Sequence, residues 1–358
     1  MKILGIETSC DETAASIIEV NPKNDKIKVI SNVVSSQIKI HQQYGGVVPE
    51  VAARNHIKNI LPVIEQTVRP LSLWERGRGE GVDAIAVTRG PGLIPALIIG
   101  IETAKSLAYA WNKPIIGVNH MAGHIYSNWL ENDNPPKFPA LALVVSGGHT
   151  ELVLMKGHFK FKLLGQTRDD AVGEAFDKVA KILGLGYPGG PIVSKMAGKD
   201  VALQRLIKMP RPMINDKNFE FSFSGLKTSV LYQIQKDKNY KKRIPDYCAS
   251  FQQAVVDVLI KKTILAAKQY KVRSVMLAGG VAANLELRKQ LGEAVKENLP
   301  QTSYHAPDLK YTTDNATMIA VAGYFFARHS FSEGGMNKYK KNINTDWSKI
   351  KVDCNLSL

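Results

Sequence analysis

Short, largely apolar runs separated by polar turns open this chain, and helical spacing of apolar positions follows. Residues 3–8, 14–20 and 27–35 read as three strands, the first two joined by a polar turn through Cys10, Asp11 and Glu12. Helical spacing then runs over 49–68. A strand at 83–88, a helix at 95–111, a strand at 115–118 and a helix opening near His120 complete this stretch. After Asn132-Asp133-Asn134-Pro135-Pro136 the pattern restarts, with strands at 140–145, 151–155 and 161–165 and a helix at 171–183. A long helix at 246–270, a strand at 274–278, and helices at 282–291 and 316–328 follow. Two halves that each open with a hairpin predict a duplicated α/β fold of two domains, 1–134 and 135–358, with the final helices free to pack back on the first. In such folds the hairpin turns and later strand-to-helix turns converge, which predicts a nucleotide cleft between the halves.

Length agrees, since 358 residues suit two domains with a core each. The apolar fraction of 44% is that of a soluble chain, and the longest apolar stretch, near 93–101, meets Glu102 and Lys105 too soon to span a bilayer. Glu7 stands where a signal peptide would still be apolar, so a cytoplasmic protein without a membrane segment is expected. Cys10, Cys248 and Cys354 are odd in number and far apart, which suggests neither a disulfide framework nor a cysteine metal site. Charge changes the picture more. A net charge of +15 produces a field that draws polyanions, with nucleic acid the natural partner. Lys236-Asp237-Lys238-Asn239-Tyr240-Lys241-Lys242-Arg243 and Lys338-Tyr339-Lys340-Lys341 interleave tyrosine with cations, as base stacking beside phosphate contact would require. A solvated basic face explains either run equally well.

The candidate chemistry lies in a histidine pair and three glycine turns. His120 and His124, four residues apart, share one face of a helix and can hold one divalent metal ion, unless both are simply polar helix residues in water. Thr312-Thr313-Asp314-Asn315, before the last helix, offers the Asp314 carboxylate as a third ligand, although these residue types also cap helices. Such a triad leaves positions open for substrate oxygens and suits iron(II), zinc or manganese. Val144-Val145-Ser146-Gly147-Gly148-His149-Thr150 puts two glycines in a hairpin turn where N–H groups can approach phosphate. Leu277-Ala278-Gly279-Gly280-Val281-Ala282-Ala283-Asn284 ends a strand and opens a helix, with Asn284 placed to hydrogen-bond a base or ribose. Tyr187-Pro188-Gly189-Gly190-Pro191 follows the helix that carries Asp177. Each turn alone is common punctuation; together on a duplicated fold they point to phosphate binding. Neither a Gly-x-x-x-x-Gly-Lys-Ser/Thr loop nor a Gly-x-Gly-x-x-Gly fingerprint after the first strand is present, which argues against those nucleotide folds.

Taken in order, these residues resemble the bacterial tRNA N6-adenosine threonylcarbamoyltransferase family, once described as O-sialoglycoprotein endopeptidases. The resemblance spans nearly the whole chain. It rests on Gly5-Ile6-Glu7-Thr8-Ser9-Cys10-Asp11-Glu12-Thr13, Gly45-Gly46-Val47-Val48-Pro49-Glu50, Ala52-Ala53-Arg54, Thr88-Arg89-Gly90-Pro91-Gly92-Leu93, the histidine pair and Ser146-Gly147-Gly148-His149-Thr150. It continues through Asp169-Asp170-Ala171, Gly173-Glu174-Ala175-Phe176-Asp177-Lys178, Phe223-Ser224-Gly225-Leu226-Lys227-Thr228, Gly279 to Asn284 and Thr313-Asp314-Asn315.

The resemblance implies an actin-like ATPase fold of the sugar-kinase and Hsp70 type. It implies a metal on His120, His124 and Asp314, iron(II) first and zinc second, and threonylcarbamoyl-AMP or ATP in the cleft. Substrate contacts would fall on Val144, Val145, Ser146, Gly147, Gly148, Asp177, Gly190 and Asn284. The implied reaction moves L-threonylcarbamoyl from its adenylate to the N6 amine of the adenosine 3′ of the anticodon, in tRNAs reading codons that begin with A. Implied partners are tRNA, an inactive paralogue of the same fold and a small P-loop ATPase. Asp11 or Glu12 is expected to orient the threonyl group or accept the amine proton, with capping of the hairpin turn as the competing account. Two departures stand out: Ala122 replaces a glutamate common in the family, and residues 69–81 read as a surface insertion. A zinc endopeptidase and an ATP-gated, non-catalytic subunit are the rival functions. Against the first, Met121 follows His120 where a His-Glu-x-x-His helix needs its general base.

Overall fold

The structure is a computed structural model that describes residues 1–71, 81–198, 206–329 and 347–358. The segment around Trp74 and the basic run at 338–341 therefore lie outside the described residues. Strands β1 (Lys2–Glu7), β2 (Glu12–Asn21), β3 (Lys26–Ser36), β4 (Ala84–Gly90) and β5 (Ile115–Asn119) form one sheet in the order β3-β2-β1-β4-β5. Strands β6 (Ala140–Val145), β7 (Thr150–Met155), β8 (Phe161–Gln166), β9 (Ser274–Ala278) and β10 (Ser303–His305) form the other, in the order β8-β7-β6-β9-β10. In both sheets the first three strands pair antiparallel and the last two join parallel. Repeated order with repeated sense is the signature of a duplicated α/β fold. Burial follows position: β6, central and wholly apolar, is buried at every residue, whereas the edge strands β3 and β8 are mostly half-buried or exposed, each with a single buried residue.

Two compact units result. One comprises Met1–Pro135, His158–Lys160 and Thr313–Leu358; the other comprises Pro136–Gly157 and Phe161–Thr312. Within the first, Leu4 and Ile6 of β1 pack with Ile60, Ile64 and Ile101 from helices Pro49–Val68 and Ile94–Trp111. The alternation of a strand sends Ile3, Gly5 and Glu7 to the opposite face. There the last helix, Ala316–His329, crosses so closely that a Cβ on Gly5 would run into the Ala316 carbonyl, and one on Gly323 would lie 2.7 Å from Ala86 Cβ. In the second unit, the 27-residue helix Ile244–Tyr270 is the apolar spine, its Phe251, Val255 and Leu259 sharing a core with Leu141, Leu143, Phe176 and Leu277.

Helical spacing alone overlooks two helices, Gly189–Ala197 and Ser224–Lys236, and the three-residue β10. It also misplaces one start. The segment expected as a helix from 282 is a 3₁₀ turn over Gly280–Ala283, and the α-helix runs Leu285–Asn298. Asn284, at φ −68° and ψ 111°, is its N-cap, which delays the helix by three residues.

Candidate functional site

The histidine pair is set by two caps. Asn119, the last residue of β5, accepts from the Ala122 N–H at 3.0 Å and starts the short helix His120–Tyr126. His120 and His124 therefore project one turn apart from the same face, their ring centroids 4.7 Å from each other. At the last helix the cap is Asn315, which accepts from the Met318 N–H at 3.1 Å. Asp314, one residue earlier, turns to the imidazoles instead: its Oδ1 lies 3.1 Å from His124 Nε2 and 3.5 Å from His120 Nε2. Ligand atoms of the three residues fall within 4.8 Å of one another. His124 is 1% exposed; its Nδ1 has no hydrogen-bond partner, and its Nε2 lies against the Asp314 carboxylate without a well-formed hydrogen bond. An unsatisfied buried imidazole is costly, and a cation shared with His120 and Asp314 would remove that cost. The donor set thus fits a divalent ion.

Glu7 stands behind His120. This carboxylate ends an apolar strand and is fully buried. Its Oε2 accepts from Thr88 Oγ1 at 2.6 Å and lies 2.9 Å from His120 Nδ1, while its Oε1 accepts from the Ser9 N–H. Burial pushes the Glu7 carboxyl up, but the His120 ring beside it prevails and holds it below the usual carboxylate range. For His120, burial disfavours the charge; Glu7 and then Asp314 outweigh it and raise the ring to about 9.

The acidic turn after β1 is fixed from outside. His56, on helix Pro49–Val68, donates from Nε2 to the Cys10 carbonyl at 2.9 Å and meets Thr13 Oγ1 at 2.7 Å with Nδ1. Burial pushes this imidazole down, which keeps it neutral for both bonds. The Gln37 N–H donates to the Asp11 carbonyl at 3.0 Å, and Ser36 Oγ donates to Glu12 Oε1 at 3.0 Å. Burial, then the Asp314 and Asp11 charges, hold the Glu12 carboxyl well above the usual range. Burial, then the charges of Asp11 and Asp314, also push the Cys10 thiol up, away from a reactive thiolate.

In the second unit the remaining candidates lie on a closed ring of contacts. The Ser146 N–H donates to the His149 carbonyl and the His149 N–H to Ser146 Oγ, which closes the β6–β7 turn. The Gly173 N–H donates to the Ser146 carbonyl, so helix Val172–Ile182 begins against that turn. A turn further on, Asp177 Oδ1 accepts from the Gly189 N–H at 2.7 Å, where the helix that contains Gly190 starts. Burial raises the Asp177 carboxyl and the N–H groups of Gly189 and Gly190 draw it back. Ser194 of the same helix accepts from Asn284 Nδ2 at 2.8 Å. Gly279, at φ +89°, closes the ring against Val145, whose carbonyl a Cβ there would strike. The Asn284 side chain is held in place: Oδ1 caps Leu287, and Nδ2 donates to Ser194 and to Gln252 Oε1. The open rim is Gly147-Gly148, where a Cβ would meet nothing within 4 Å.

His120, His124, Asp314, Asp11 and Glu12 thus belong to one unit, and Val144 to Gly148, Asp177, Gly190 and Asn284 to the other. The supporting residues Glu7, Thr88 and His56 carry no metal-type spacing; their one sequence signal is a polar residue ending an apolar strand or interrupting an apolar helix face.

A family model described as tRNA N6-adenosine threonylcarbamoyltransferase matches residues 28–321. The tRNA N6-adenosine threonylcarbamoyltransferase of Syntrophomonas wolfei is 50% identical over 339 residues, 94% of this chain and 96% of the relative. That of Geobacillus thermodenitrificans is 51% identical over 323 residues, 90% of each. Among solved structures, full-length HypF in a phosphate- and nucleotide-bound form superposes with a TM-score of 0.56 at 15% identity, over 93% of this chain and 56% of HypF, a likeness of fold.

Proposed function

This chain belongs to the tRNA N6-adenosine threonylcarbamoyltransferase family, and from that membership we infer an acyltransferase that places threonylcarbamoyl on N6 of adenosine in tRNA. We propose the adenylate as donor, the adenosine 3′ of the anticodon as acceptor and the cytoplasm as the compartment, with a same-fold paralogue and a small P-loop ATPase as partners. No helix among the described residues is long and apolar enough to cross a membrane.

The transfer joins N6 to the carbamoyl carbon, breaks the bond from that carbon to the AMP phosphate oxygen, and removes one proton from N6. Since the donor is already an activated mixed anhydride, the protein has mainly to position the reactants and balance charge. In this reading His120, His124 and Asp314 hold one divalent cation, iron(II) or zinc. When bound, that cation supplies Lewis-acid neutralisation of donor phosphate charge. Glu7 fixes the His120 ring through Nδ1, and Thr88 and the Ser9 N–H fix Glu7 in turn. Asp11 or Glu12 orients the threonyl group or takes the N6 proton. The N–H groups of Gly147 and Gly148 take a phosphate of the adenylate.

The observation that supports the metal assignment is the buried cluster itself: His124, with Nδ1 unpartnered and Nε2 3.1 Å from Asp314 Oδ1, stands beside His120 with all three ligand atoms within 4.8 Å of one another. Met121, 3% exposed, sits where a peptidase needs glutamate, so peptide hydrolysis lacks its base. The test mixes the full chain, with and without the proposed partners, with threonylcarbamoyl adenylate and unmodified tRNA. Modified adenosine should appear, vanish on chelation and return with added metal, and His124→Ala should lose both metal and product. Full activity after metal stripping overturns the metal assignment; no product under any condition overturns the proposed donor and acceptor.

A further inference from the structure

The run Lys236 to Arg243 is cross-braced by its own side chains and by Asp246 and Tyr247. Asp237 Oδ2 accepts from Arg243 Nη1 at 2.8 Å and from the Tyr247 hydroxyl at 3.2 Å, while its Oδ1 accepts from the Asn239 N–H at 2.9 Å. Arg243 Nε also donates to the fully buried Asp246 at 3.2 Å, and a 3₁₀ turn over Tyr240–Lys242 tightens the loop. The one acid of the run, Asp237, and its arginine are therefore consumed in holding it. Lys236, Lys238, Lys241 and Lys242 are left exposed, and none of them makes an ion pair among the described residues. Tyr232 is 58% exposed and lies four residues before Lys236, on the same face of helix Ser224–Lys236. Four unneutralised cations within seven residues, beside an exposed aromatic ring, form a surface suited to a sugar–phosphate backbone with a base to stack.

We propose that Tyr232, Lys236, Lys238, Lys241 and Lys242 form a contact surface for the phosphodiester backbone of the tRNA substrate. The proposal rests on the transferase reading above. Self-repulsion among the lysines would otherwise spread them, and the Asp237–Arg243–Asp246 clamp keeps them presented together, so less ordering is needed at binding. The experiment measures tRNA affinity of the full chain against salt concentration, for the unaltered protein and for Lys238→Gln/Lys241→Gln/Lys242→Gln. A control, Lys23→Gln/Lys28→Gln/Lys58→Gln, alters net charge equally at exposed positions of the other unit. The first triple variant should bind about tenfold or more weakly at low salt, with its log–log salt slope smaller by roughly 2 to 3. Its metal content and thermal midpoint should be unchanged, and the control should keep the slope. Equal losses in both triples, or no loss in the first, overturn the proposal, because the run then adds only to the general field. No salt-dependent tRNA binding by the unaltered chain, with or without partners, strikes instead at the transferase reading.

Discussion

Glu7 is where a single atom most affects the proposed metal centre. With Thr88, Ser9 and His120 all directed at its two oxygens, the carboxylate fixes which way the imidazole faces. Glu7→Gln keeps the volume and puts a weaker, partly misoriented acceptor against Nδ1. Metal affinity should fall about 10- to 100-fold, read by competition with a chromogenic chelator. An unchanged affinity would leave Glu7 a packing residue. The cluster of His120, His124 and Asp314 is legible in the sequence as a candidate, because a metal site would demand such residue types and, for the pair, such spacing. Glu7 is not, because its partners are fixed by strand order: β1 and β4 lie side by side while Glu7 and Thr88 are 81 residues apart in the chain.

Among the elements, the most dependent is the short histidine helix, held at its start by contacts that involve Asp353 and Leu356. Asn119 caps it with Oδ1 and donates from Nδ2 to the Leu356 carbonyl at 3.1 Å. The Asp353 N–H donates to the Arg89 carbonyl at 2.9 Å, and Gly90 lacks the Cβ that would collide with Asp353. Deleting residues 352–358 should therefore free the Asn119 amide and weaken metal binding several-fold, seen in the same chelator assay; unaltered binding would make the tail dispensable to the site. No apolar periodicity marks residues 350–358, so this strap is invisible in the sequence, whereas the long periodic helices are plain. A second element, the turn His158–Lys160, docks by aromatic stacking: His158 lies 4.6 Å from Phe325 and 4.2 Å from His329, ring to ring. Burial, and then His329, lower His158 to about 3. The folded protein then keeps the ring neutral while the unfolded chain protonates it near 6.5, so this stabilisation is complete above pH 6.5. It is lost as pH falls from 6.5 toward 3, by up to about 1.4 kcal/mol per pH unit. Thermal unfolding across that window should show the slope, and His158→Phe should flatten it; an equal slope in both would place the pH dependence elsewhere.

Across the whole molecule, one topology is used twice with different residues in its turns. The turn between the first two strands of each half carries Ser9-Cys10-Asp11 in one unit and Ser146-Gly147-Gly148 in the other. The turn after the following parallel strand places a glycine against it in both: Gly92 against Ser9, Gly279 against Val145. Duplication was legible from the repeated hairpin-first pattern; which glycines serve packing was not, because glycine alone does not say whether it makes room for the protein or for a ligand. The structure separates the two cases. At Gly173 an added Cβ would lie 2.8 Å from Gly147 Cα, and Gly279 is held at φ +89°, so both glycines serve packing and backbone conformation. Gly279→Val should destabilise the fold by about 2 kcal/mol or more, from a thermal or denaturant midpoint. Gly148 has open space on its side-chain side, so Gly148→Val should leave stability within about 0.5 kcal/mol and metal content unchanged. If its N–H receives donor phosphate, the new side chain stands in the ligand's path, and KM for threonylcarbamoyl adenylate should rise about tenfold while tRNA affinity stays the same. An unaltered KM with an intact fold would remove the glycine rim from the donor site and leave the metal half to hold the adenylate without it.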